Sequence, residues 1–339
     1  MRGAHFLITS AASIVARRGA GISPWNHAWF CARCNDRERI DVVVMTLEQW
    51  KAGGHSFIHA GHTIFYRDDG SGDVLLLIHG FPTASWDWEK LWDPLKQRFR
   101  LVAPDMIGFG FSDKPTKYTY SIHDQATLHE ELLANLGIAS VHILAHDYGD
   151  SVAQELVARY EERRGSGAPG LVIRSACFLN GGIFPESHRM RPVQRMLRVP
   201  ILGAILGRGM NEANFAQTFP AVFGPNTKPT AVELHDFWTL VSANSGRLIA
   251  HKLIRYIDDR RLHRDRWVGA LQSTDLPLRF INGPEDPVSG RHMGERYTEL
   301  IPGGDVVYLE GIGHYPQVED PQGTLREIFA FHDKVALRP

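Results

Sequence analysis

What this 339-residue chain lacks narrows its class before any motif is read. It is poor in cysteine, with three in all. Cys31, Cys34 and Cys177 do not suit a disulfide framework, and the Cys31-Ala-Arg-Cys34 spacing has no second half that would complete a zinc site. They read as incidental thiols. The chain also lacks net charge. Lys and Arg together number 37 against 38 Asp and Glu, a formal charge of −1, which gives no electrostatic case for nucleic acid. No apolar run approaches the ~18 uninterrupted residues of a membrane-spanning helix, and neither internal repeats nor low-complexity tracts are present. No acidic residue precedes Asp36. The first 44 residues therefore read either as a targeting segment or as an extension from an early start codon, with Met45 opening a more ordinary stretch. They are expected to be poorly ordered and stand outside the fold. The remainder is expected to be a cytoplasmic globular protein of one large domain with an insertion, its oligomeric state not legible.

What is present is an alternation of strands and helices. "HSFIHAG" and "HTIFYRD" around Gly61 read as a hairpin. The segments 73–80, 100–105, 140–146, 171–180, 276–284 and 305–311 are short apolar runs, as strands buried on both faces require. Residues 121–137 place Ile122, Ala126, Leu128, Leu132, Leu133 and Leu136 at helical spacing before Gly137. Helical spacing also follows Gly149, and a last helix covers "QGTLREIFAFHDKV". This pattern predicts an α/β fold with a mostly parallel sheet covered by helices on both faces. The strand signal disappears between about 183 and 272, a segment rich in arginine. The expected domains are thus a core of 45–182 and 273–339 and a helical cap of 183–272.

Functional loops of a parallel sheet gather at the carboxyl ends of its strands. Here those loops carry His79-Gly80-Phe81-Pro82, then Asp147, then Asp286, then Gly313-His314. In chain order they supply a backbone donor, a nucleophile, an acid and a histidine, the order of an α/β-hydrolase. The turn 145–149 has Ala145 and Gly149 as permissive neighbours but lacks the serine of the G-x-S-x-G elbow, and Asp147 stands at its tip. A carboxylate nucleophile attacks an electrophilic carbon and leaves an ester on the protein. The backbone N–H groups of Phe81 and Tyr148 would form an oxyanion hole, His314 would activate water, and Asp286 would orient the imidazole. Such a set suits epoxide opening or halide displacement. It suits ester hydrolysis poorly, because attack there would give an anhydride. Taken singly, each signal has a plainer reading: a capping aspartate, a surface histidine, a cis-proline turn at HGFP. "GFGFSD" (108–113) lacks the third glycine and following helix of a dinucleotide loop.

The elements HGFP, "PDMIGFGFSDKP" (104–115), "HDYGD" (146–150), the Asp286 loop and "GIGHYP" resemble the α/β-hydrolase group of soluble epoxide hydrolases and haloalkane dehalogenases. "NGGIFPESHR", "FGPNTKPT", "RRLHRDRWVGAL" and "HYPQVEDP" extend the resemblance, from about Trp50 to near the C-terminus, to the family of the mesoderm-specific transcript protein and its bacterial relatives. The resemblance implies no metal and no organic cofactor, and departures from it bear on the reaction. Dehalogenases hold halide with an Asn after His-Gly and a Trp after the nucleophile, where this chain has Phe81 and Tyr148. Epoxide hydrolases use two cap tyrosines as proton donors, where this cap has Tyr256 alone, with water or His188 as an aid. Tyr256 is the candidate acid, with a packing role as the plainer alternative, and His79, His146 and Trp267 are candidate pocket residues. The expected function is hydrolysis of an apolar epoxide through an aspartyl ester. Alternatives are a dehalogenase, a lipid-directed hydrolase or transferase on the same site, and a binding protein that keeps the fold without turnover. The segment 190–210 interleaves arginine with apolar residues, which fits helix packing, an apolar tunnel or contact with a membrane surface.

Overall fold

The computed structural model describes residues 44–337. The expectations for residues 1–43, Cys31 and Cys34 included, lie outside them. Eight strands form one sheet: β1 (His55–His59), β2 (His62–Gly70), β3 (Val74–Ile78), β4 (Arg100–Pro104), β5 (Ser140–His146), β6 (Val172–Leu179), β7 (Leu278–Asn282) and β8 (Asp305–Tyr308). Their order is β1-β2-β4-β3-β5-β6-β7-β8. The β1–β2 hairpin is antiparallel, as is β2 against β4, and every other pair is parallel. Each of these strands falls where an apolar run or the hairpin signal placed it.

Strand side chains alternate between faces, so the central strands feed two cores. Leu76, Ile78, Val102, Ile143 and Ala145 pack on one side, with the helices Ile122–Asn135 and Tyr148–Ser166. Leu75, Leu77, Leu101, Ala103 and Leu144 pack on the other, with the helices Glu89–Lys96 and Pro321–Ala336. Helix Ile122–Asn135 begins where Ser121 accepts the Asp124 N–H at 3.1 Å. It ends before Gly137, whose φ of 68° is the left-handed stop that the sequence signalled.

Between β6 and β7 the chain is helical, from Pro192–Arg198 to Arg264–Ser273. The last of these helices lies on the core helix Tyr148–Ser166. It buries Trp267, Val268 and Leu271 there, so it extends the core layer rather than covering the site. The molecule is an α/β-hydrolase fold with an inserted helical cap. No helix among the described residues is long and apolar enough to cross a membrane.

Candidate active site

β5 ends at His146 and a helix begins at Tyr148, leaving Asp147 alone in the turn at φ 47° and ψ −101°. This backbone is strained for a residue with a side chain, and the surroundings hold it. The Asp147 N–H donates to Leu179 O at 3.3 Å, and its carbonyl accepts from the Asp150 N–H at 3.2 Å and from Arg260 Nη2 at 2.6 Å. Gly149 lets the helix close on the sheet, since a Cβ there would lie 2.3 Å from Ile78 O.

The Asp147 carboxylate faces three donors. Oδ2 accepts from the Phe81 N–H at 3.2 Å. The Tyr256 hydroxyl lies 3.4 Å from both oxygens, and Arg260 Nη2 lies 3.4 Å from Oδ1. The Tyr148 N–H opens its helix and so has no acceptor within it. Burial pushes the Asp147 carboxyl up, but the Arg260, His314 and His146 charges and the Phe81 N–H together hold it below the usual carboxylate range.

His314 Nδ1 donates to Asp286 Oδ2 at 2.7 Å, which leaves Nε2 as the free ring nitrogen. Asp286 is fixed on every side. Ser289 Oγ (2.7 Å) and Asn180 Nδ2 (3.1 Å) also donate to Oδ2, and the Val288 N–H donates to Oδ1 at 2.7 Å. Burial would raise its pKa, but His314 and these donors bring it down to about 2. Burial alone would lower His314. The charge and hydrogen bond of Asp286, with the Asp147 charge behind them, raise it to about 9. The arrangement is an ion pair beside a second carboxylate, which suits a base that is needed only after that carboxylate has reacted.

Asp147 and His314 line one cavity of about 280 Å³. Its other walls are mainly apolar, among them Leu197, Phe215, Phe219, Val222 and Val241 from the cap and Val288 from the core. Phe81 lines it as well, next to a cis Phe81–Pro82 bond. The structure thus brings together Asp147, Asp286, His314 and the Phe81 N–H, with the Tyr256 hydroxyl beside the Asp147 carboxylate.

The three pocket candidates are placed away from the cavity wall, for physical reasons. His79 is fully buried, with Nδ1 donating to Gly80 O at 2.9 Å and Nε2 accepting the Met106 N–H at 3.1 Å. Both ring nitrogens are used, and burial lowers its pKa to about 4, so it acts as a neutral strut for the loop. Trp267 points into the core and donates from Nε1 to Glu155 Oε2 at 2.7 Å. His146 sits behind the histidine, donating from Nε2 to His314 O at 2.7 Å. His188 stands beside the guanidinium of Arg260, 3.5 Å from its Nη1.

Three residues of the site escaped sequence reasoning. Arg260 is 1% exposed and also donates from Nε to Ser151 Oγ at 2.6 Å. Asn180 exchanges hydrogen bonds with Gly283, accepting its N–H at 2.6 Å and donating to its carbonyl at 2.9 Å, so it fastens the acid loop to the end of β6. Glu319 accepts the N–H groups of Gly313, Tyr315 and Gly224, which joins the histidine loop to the cap. Asn180 after a strand and Glu319 two residues past Gln317 in "HYPQVEDP" were visible signals. Arg260, one arginine among several, was not.

Comparison with known proteins agrees with this architecture. The family described as "alpha/beta hydrolase fold" matches residues 73–321. The mesoderm-specific transcript protein of Mus musculus is 45% identical over 295 residues, 84% of this chain and 87% of that protein. Among solved structures, the haloalkane dehalogenase DbeA from Bradyrhizobium elkani is similar at a TM-score of 0.69 and 23% identity, over 84% of this chain and 98% of that one. The epoxide hydrolase CorEH is similar at 0.66 and 20%, over 83% and 99%. At such identities the likeness is one of fold. The chain belongs to the α/β-hydrolase fold family and is closely related to the mesoderm-specific transcript protein.

Proposed function

We propose that the protein is a hydrolase working through a covalent ester on Asp147, with an apolar epoxide as its substrate. The observation that carries the reading is the carboxylate at the elbow tip, with Oδ2 on the Phe81 N–H and a His314–Asp286 pair lining the same cavity. Oδ2 is held by its donor, so Oδ1 attacks the substrate carbon. The carbon–oxygen bond of the epoxide breaks, and its oxygen takes the proton of the Tyr256 hydroxyl. Burial keeps Tyr256 protonated, with its pKa raised by desolvation and by the Asp147 charge. In the second half, His314 Nε2 takes a proton from water and the hydroxide attacks the Asp147 carboxyl carbon. The oxyanion that forms is held by the Phe81 and Tyr148 N–H groups. Its collapse breaks the ester bond: the departing alkoxide takes the proton held by His314 and leaves as the diol, and the Asp147 carboxyl gives its proton back to the Tyr256 phenolate, which restores the carboxylate and the acid.

A second reading has its own support. Tyr256 does not line the cavity, and its hydroxyl is directed at Asp147. A leaving group that needs no proton, such as a halide, or an activated lipid-derived electrophile would serve the same nucleophile. The mainly apolar cavity suits each of these.

Intact mass spectrometry of His314→Gln protein separates the readings. Without the base, the Asp147 ester should persist. A mass gain equal to a whole epoxide is the expected result. A gain of an alkyl group without its halogen moves the assignment to dehalogenation, and a lipid-derived adduct moves it to the lipid. Folded protein that takes up nothing from epoxides, haloalkanes or a lipid extract would overturn covalent catalysis at Asp147.

A further inference from the structure

Large apolar side chains are unevenly exposed on this protein. Of the twelve exposed among the described residues, six fall between 193 and 205: Val193, Met196, Val199, Ile201, Leu202 and Ile205. They lie on the helices Pro192–Arg198 and Pro200–Gly209, with Val199 between the two. The second helix reverses the usual arrangement, in which the apolar stripe faces inward. Its inner face is Gly203 and Gly207, both buried, and a Cβ at either would fall within 2.4 Å of a backbone carbonyl. Its outer face holds Ile201, 77% exposed, and Ile205, 61% exposed. A contiguous patch of this kind marks an interaction surface, unlike scattered single residues.

Charge identifies the partner. From 187 to 211 the chain has Arg189, Arg191, Arg195, Arg198 and Arg208 and no acidic residue. The stretch 237–257, whose helices pack against this pair, adds Arg247, Lys252 and Arg255 and again no acid. Arg198 pairs with Asp258, while the other four arginines of the first stretch have no ion-pair partner among the described residues. This basic region belongs to a chain whose formal charge is −1. Arginines interleaved with outward apolar residues fit a surface that is apolar within and anionic at its face, since their stems lie in the apolar layer while the guanidinium groups reach the headgroups.

The patch also meets the active site. Val193 is 54% exposed and lines the catalytic cavity, and Arg191, Pro192, Gln194 and Leu197 of the same segment line it too. We propose that the helices 192–198 and 200–209 seat the protein on an anionic lipid surface, with the mouth of the cavity turned toward it. Apolar substrate then enters from the lipid without crossing water. Only this last step rests on the apolar-substrate reading of the site, and seating on lipid does not.

Flotation of the full chain with vesicles tests it, using phosphatidylcholine alone and phosphatidylcholine with phosphatidylglycerol. Wild-type protein should float with the anionic vesicles and should be released as salt is raised. Ile201→Asp with Ile205→Asp should lower vesicle affinity by at least about tenfold, with an unchanged thermal midpoint. Arg195→Gln with Arg208→Gln should remove the preference for anionic vesicles. Flotation does not depend on turnover, so Asp147→Asn protein should float like wild type. The adduct experiment can therefore fail while this one succeeds, and the reverse. Wild-type protein that floats with neither vesicle would overturn the proposal. So would isoleucine variants that float equally well, or a wild-type dimer that those variants dissolve without any vesicle binding.

Discussion

His314 is protonated in the resting site near neutral pH, because Asp286 and Asp147 raise it to about 9 against the pull of burial. In that form it cannot take a proton from water. In the proposed mechanism, esterification removes the negative charge of Asp147, one of the three carboxylate charges, with Asp286 and Glu319, that support the imidazolium. The pKa of His314 must then fall, so the base becomes available when the ester needs it. The two half-reactions of the proposed mechanism should therefore depend differently on pH. Ester formation needs ionised Asp147, whose pKa lies below the ordinary carboxylate range, so its rate should be flat from roughly pH 6 to 9. Ester decay needs neutral His314, so its rate should rise with pH and reach its midpoint below the resting value of about 9. Rapid-quench mass spectrometry of wild-type protein in a single turnover reads both rates. A decay rate independent of pH would remove His314 from the role of base.

At the scale of elements, the elbow depends on how closely one helix approaches one strand. A Cβ at Gly149 would lie 2.3 Å from Ile78 O and 2.8 Å from His79 O, both on the backbone. Neither atom can swing aside as a side chain can. Gly149→Ala should therefore push the helix Tyr148–Ser166 off β3, at a cost of about 1–3 kcal/mol in denaturant unfolding. It should also move Asp147 off the Phe81 N–H and lower turnover. Unchanged stability would mean that the helix tilts freely there. The strands were legible because the central ones are largely buried on both faces and are therefore mainly apolar, β3 along its whole length. Leu75 and Leu77 face one core while Leu76 and Ile78 face the other, which leaves no polar position in the run. The direction of single side chains was not legible. His79 and Trp267 sit in segments that border the site, yet the Met106 N–H and Glu155 draw them into the interior. A buried polar group turns to its hydrogen-bond partner, and sequence spacing does not say where that partner is.

Over the whole molecule, cap and core meet at Asp147, the proposed nucleophile. The cap helix Tyr256–Leu262 sends Arg260 to the Asp147 carbonyl and to Ser151, while Glu319 of the core accepts the Gly224 N–H of the cap. That Asp147, Asp286 and His314 come together was legible in the chain because each follows a strand in a fixed order. Arg260 could not, because in "RYIDDRRLHRDRW" a buried arginine and a solvated one are spelled alike. Its position makes the cap a support of the strained turn as well as a wall of the cavity. Lysine cannot replace that fork. One ammonium group does not reach the Asp147 carbonyl and Ser151 Oγ with the same geometry. Arg260→Lys should keep the fold and lower kcat by about tenfold to a hundredfold, since small displacements of a reacting group have effects of that order. Arg260→Met goes further, because it also removes the charge that opposes burial at Asp147. The Asp147 pKa should then rise, and the acid limb of ester formation should move to higher pH in Arg260→Met but not in Arg260→Lys. Comparing the pH dependence of ester formation in the two variants separates support of the turn from control of the Asp147 charge. An acid limb unmoved by Arg260→Met would leave Arg260 the first role alone.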